Sequence, residues 1–83
     1  LDEKFYVFTF YSTHSALEFE NKLKENNFDI KLIPVPRKIS SSCGLAGRVN
    51  NNYKDIKQYC DKNDIKYGSI YKISPDNNAK KIF

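Results

Sequence analysis

The order of hydrophobic patterns along the chain predicts an α+β fold of the ferredoxin-like kind: a β-α-β-β-α-β sandwich with a four-stranded antiparallel sheet and two helices on one face. Three observations lead there. The chain opens on an aromatic and β-branched run, KFYVFTFY; two later segments carry apolar residues at helical spacing; and three further short stretches carry strand patterns. With 83 residues there is room for one small core and no second one. A single domain over residues 1–83 is expected, its core at about 4–73 and a loosely held tail at 74–83.

Lys4 to Tyr11 reads as a strand apolar on both faces, which places it centrally in its sheet. Ser12, Thr13 or Ser15 then caps a helix running to about Asn26, with Ala16, Leu17, Phe19 and Leu23 on its apolar side. Asp29 to Val35 alternates until Pro34 and Pro36, which cannot donate to a ladder and so mark an edge strand about to leave the sheet. Pro36 to Gly44 is a loop, and Leu45 to Val49 a short strand interrupted by Gly47. Tyr53, Ile56, Tyr59 and Cys60 recur at helical spacing, so a second helix is expected over Tyr53 to Lys62, with Asn63 as its stop. Lys66 to Ile73 is the last strand.

Right-handed crossover through the first helix makes the first two strands parallel. The turn STH after strand one and the loop SSSCG after strand two should therefore share one rim with the N-terminus of the first helix. The second helix returns toward that rim and brings Cys60 to the same end.

Composition narrows the function. Hydrophobic residues at 40% and charged residues at 29% exclude a disordered chain. The longest apolar run is far short of the roughly 20 residues that span a bilayer, and no stretch reads as a signal peptide, so no membrane partner and a cytoplasmic location are expected. In that compartment the two cysteines stay reduced and are read singly. The net charge of +4 permits contact with nucleic acid or an acidic protein, but lysines are scattered and only Arg37 and Arg48 are arginine. Nucleic acid is not expected: the stretch GLAGRVN lacks the aromatics that would complete a base-stacking sheet, leaving Tyr6, Phe8 and Phe10 for the core or a dimer surface. One histidine and two separated cysteines give no metal-ligand spacing, and no glycine-rich phosphate loop occurs, so neither metal nor cofactor is expected.

The remaining chemistry is KISSSCGLAG, with Cys43 between three serines and a glycine. A free thiol has a pKa of about 8.5, so half ionisation near neutral pH takes a shift of about 1.5 units, or roughly 2 kcal/mol. The helix N-terminus supplies about 0.3–1 kcal/mol. Arg37, Lys38, Arg48, a protonated His14 and the N–H groups of the Gly44 turn are the candidates for the rest. The same donors would hold the terminal anion of a persulfide. Local pattern alone favours the plainer readings: Cys43 as a turn residue, His14 as a surface or capping residue, and Cys60 as a small buried hydrophobe.

The stretches YVFTFYSTHSALEFENKLKE, IPVPRKISSSCGLAGRV and IYKI resemble the selenium/sulfur carrier-like family of small bacterial domains, over about residues 4–73. The most specific parts are FYSTHSAL and VPRKISSSCGLA. The resemblance implies a ferredoxin-like fold and a chalcogen-carrying cysteine at Cys43. Ser12, Thr13 and His14 match the first motif; Pro36, Arg37, Ser41, Ser42, Cys43 and Gly44 match the second. Gly47 stands where the family carries a larger residue, and is expected to loosen the third strand.

The function expected is thus a carrier, more a transfer module than an enzyme. Cys43 would take sulfur or selenium from a donor such as a cysteine desulfurase or a selenium-delivery protein, hold it as a persulfide-type adduct, and yield it to an acceptor protein. The alternative is a small protein- or RNA-binding or regulatory module in which Cys43 is only a turn residue. A redox sensor pairing Cys43 with Cys60, and a homodimer through the sheet face, stay open.

Overall fold

A computed structural model describes residues 4–36, 39, 44–50, 53–74 and 78–83. The elements are β1 (Phe5–Thr9), α1 (Thr13–Glu25), β2 (Ile30–Pro34), β3 (Leu45–Val49), α2 (Tyr53–Lys62), β4 (Ile70–Ile73) and β5 (Ala79–Lys81). One antiparallel-paired sheet runs in the order β2-β3-β1-β4-β5. The aromatic β1 is central and the proline-ended β2 lies at an edge, both as read from composition.

The helices begin and end on local signals. Ser12 has extended backbone and caps α1, its Oγ accepting from the Ser15 N–H at 3.2 Å. Asn27 then takes a left-handed φ of 64°, and the Phe28 N–H turns back to the Leu23 carbonyl at 3.0 Å. The end of α2 repeats this design: Asp64 has φ 56° and the Ile65 N–H reaches the Cys60 carbonyl at 2.9 Å. In both cases the residue after the left-handed one is apolar and folds against the core. Ser12→Ala is expected to cost about 1 kcal/mol, read as a lower denaturant midpoint with an unchanged slope.

Both helices cover one face of the sheet. Tyr6, Phe8 and Phe10 lie under them with Ala16, Phe19 and Leu23 of α1, and Ile56 and Cys60 of α2. The rings interlock: Tyr6 stacks on Tyr53 at 4.0 Å between centroids, and Phe19 meets Phe8 at 5.1 Å and Phe10 at 4.9 Å. The first-strand aromatics are therefore core. On the opposite face, Val7, Ala46 and Ile73 form a second cluster that is closed over by Ile39.

Three expectations need correction. The α+β class holds, but the four-stranded ferredoxin-like layout does not match as expected, because β5 pairs with β4 and makes a fifth strand. Described residues after β4 also bond to one another and to the sheet. Ser74 N–H bonds to the Asn78 carbonyl at 2.9 Å, and Ile82 N–H to the Ile70 carbonyl at 2.8 Å. The last strand of the sequence pattern starts late, at Ile70. Before it, Ile65 and Tyr67 drop toward the helices, and Gly68 and Ser69 bond to Thr9. Gly47 does not loosen β3, whose ladder runs through it to Phe8 on one side and Leu32 on the other.

Candidate functional site

The antiparallel pairing of β3 with both β1 and β2 makes β1 and β2 parallel, as right-handed crossover requires. Their C-terminal ends share one rim. There the last β1–β3 pair is Thr9 with Ala46, and the last β2–β3 pair is Pro34 with Leu45. The 36–44 loop is closed at its base by the Val35 N–H, which donates to the Gly44 carbonyl at 3.0 Å. Gly44 has φ +76°, a left-handed conformation that suits glycine. Inside the loop the Ile39 N–H donates to the Pro36 carbonyl at 2.9 Å, and the Ile39 side chain is buried on the open face of the sheet. Arg37, Ser41, Ser42 and Cys43 themselves lie outside the described residues.

The N-terminus of α1 occupies the same rim. Ser12 is consumed by capping, and Thr13 and His14 are the first two residues of the helix, both exposed. His14 stands on the ridge opposite Ala16, Phe19 and Leu23, so its ring is directed away from the sheet. No acidic side chain occupies the first turn, which leaves the positive end of the helix dipole uncompensated by a carboxylate there. Arg48 lies farther from the rim. It is three residues along β3 from Leu45, and its guanidinium sits over the Phe5 ring at 4.4 Å from the centroid.

The end of α2 also reaches this end of the molecule, where Gly68 N–H bonds to the Thr9 carbonyl. Its cysteine takes no exposed part. Cys60 is wholly buried, and burial, helped by the charge of Asp61, pushes its thiol up to about 12. Asp61 stays ionised: its hydrogen bond from Lys57, Nζ to Oδ2 at 2.9 Å, holds its carboxyl low, and Tyr67 Oη adds a second bond at 3.1 Å. A neutral buried thiol is a poor nucleophile and a poor resolving group.

Sequence reading missed Ile39, which the loop assignment treated as one more loop residue. The available signal was a single aliphatic side chain isolated among lysine and serines. Among the described residues no group of three or more His, Cys, Asp or Glu is arranged to hold a metal, and no helix is long and apolar enough to cross a membrane.

These features define a small two-layer α+β protein whose cysteine-containing loop is closed at its base beside a helix N-terminus and anchored on the open sheet face. Residues 5–72 match the family described as "Putative Se/S carrier protein-like", and the chain belongs to that family. No curated protein and no solved structure matches the chain.

Proposed function

We propose that this protein is a sulfur or selenium carrier that holds the chalcogen on Cys43. The observation that carries the reading is the family match over residues 5–72, which spans the loop of Cys43. The adjoining α1 N-terminus, with no acidic side chain in its first turn, supports it, since it suits a site that must favour an anion. Burial of Cys60 supports it as well, because a carrier's cargo must not be lost to a neighbouring thiol.

The transfer is a displacement at sulfur. The Cys43 thiolate attacks the outer, sulfane sulfur of a donor persulfide; the donor's S–S bond breaks as the new one forms, and the donor leaves as a thiolate. Cys43 then bears S–SH, ionised to S–S⁻, and no external oxidant or reductant takes part. Release to an acceptor thiolate is the same step with Cys43 as the leaving group. A selenium cargo follows the same course with selenium as the outer atom.

Incubation with a cysteine desulfurase and cysteine is expected to add the mass of one sulfur to the intact protein and none to Cys43→Ser. An equal gain by the variant would sink the carrier reading. The binding-module alternative gains instead if the Cys43 thiol titrates at or above its ordinary value and reacts no faster than a model thiol.

A further inference from the structure

The open face of the sheet carries a feature that neither the core nor the transfer step uses. The strand registers set Lys31 opposite Arg48, Arg48 opposite Val7, Val7 opposite Tyr71, and Tyr71 opposite Lys81, a single row across all five strands. Neighbouring strands are about 4.8 Å apart, so the row spans about 19 Å from Lys31 to Lys81. All three cations are exposed, and among the described residues none is in an ion pair; the two ion pairs, Lys24–Glu20 and Lys57–Asp61, are on the helices. Lys31 and Arg48 directly oppose each other, an arrangement that costs rather than adds stability in a sheet. The described carboxylates lie on or beside the helices, except Asp29, which shares a shallow recess with Lys31 and Arg48 at one corner. Tyr71 lies in the row between Arg48 and Lys81, and the half-buried Phe5, Ile33 and Val35 lie beside the row on the same face.

We infer that this face docks an acidic protein, with the cations of the row meeting carboxylates around an apolar contact. The inference rests on the carrier reading in one respect, that the docked protein is the one exchanging the chalcogen with Cys43. Ile39, from the same loop, is part of this face, so a protein seated here reaches that loop. A second copy of the chain is disfavoured, since it would set one cationic row against another. Single-stranded RNA fits less well: Arg48 already covers the Phe5 ring, and the middle of the row, Val7, is fully buried in the cluster with Ile39, so the face offers no bare stacking platform. Charge complementarity of this kind acts mainly on encounter rate and selectivity, and weakens with salt.

The test measures binding of the protein to an immobilised cysteine desulfurase of net negative charge. The wild type is expected to bind with an affinity that falls steeply as ionic strength rises. Lys31→Glu, Arg48→Glu and Lys81→Glu together should weaken binding by about tenfold or more at low salt, and the corresponding glutamine triple should fall between. Thermal melts of both triples show whether they stay folded, and the glutamine triple alone decides if the glutamate triple does not. Cys43→Ser should bind as the wild type does, and a wild type that binds but gains no sulfur counts against the carrier reading and not against the docking face. Absence of wild-type binding, wild-type affinity in both triples, or tighter binding to a single-stranded oligouridine would each overturn the inference.

Discussion

Gly47→Val is expected to lower the stability of the fold by about 3 kcal/mol, the upper part of the range for overpacked cores. Strand propensity alone predicts the opposite sign, because valine favours strands and glycine weakens them. The structure decides between the two. A Cβ at position 47 would stand 2.9 Å from Phe19 Cε1 and 3.3 Å from Phe10 Cζ. Phe19 is fully buried and Phe10 nearly so, and Phe19 is also held by Phe8, so neither ring has free space to move into. At about 4–8 °C per kcal/mol for a domain of this size, the melting temperature should fall by roughly 12 °C or more. Phe19→Leu introduced with Gly47→Val should cost less than the two single substitutions summed, a coupling that additive costs would not produce. An unchanged or raised melting temperature in Gly47→Val would show that the close approach of β3 and α1 has been misread.

Alkaline pH should destabilise the protein through Cys60. The thiol ionises near 9 when free of the fold and at about 12 within it. Below pH 9 both states keep the proton, and the contribution of burial is complete. Above pH 9 the unfolded chain alone releases it, so stability falls by about 1.4 kcal/mol for each further pH unit until the folded thiol also ionises. Denaturant titrations between pH 9 and 11 should therefore give a shallower decline for Cys60→Ala than for the wild type, whatever the variant's stability at neutral pH. Tyr67, raised chiefly by desolvation and then by its bond to Asp61, adds a decline of the same sign, which Tyr67→Phe separates. Parallel pH profiles for the wild type and Cys60→Ala would mean that the thiol is not shielded from solvent.

The candidate site was legible in two different ways. The rim could be derived, because strand order and crossover handedness are consequences of the pattern of elements; β1 and β2 are parallel, and α1 starts where they end. The singling out of Cys43 came from motif resemblance, since a cysteine before glycine in a serine-rich loop has no local signature that separates a nucleophile from a turn residue. The family match over residues 5–72 agrees with that resemblance. Arg48 shows where neighbourhood in sequence misleads. It lies five residues after Cys43, yet the extended β3 carries it away from the rim and over Phe5.

What the sequence by itself determined is what short-range physics controls. The bounds of α2 and β3 follow from local pattern, and Ser12, Asn27 and Asp64 cap or close the helices through bonds within a few residues. Only the tertiary structure decided the rest, because each remaining feature depends on groups far apart in the chain. β5 exists through its pairing with β4, although its three residues, Ala79–Lys81, carry almost no strand signal. Gly47 is required by two phenylalanine rings from other parts of the chain. Ile39 becomes an anchor only where Val7, Ala46 and Ile73 meet. The cationic row arises from registers across all five strands, which no stretch of the sequence contains.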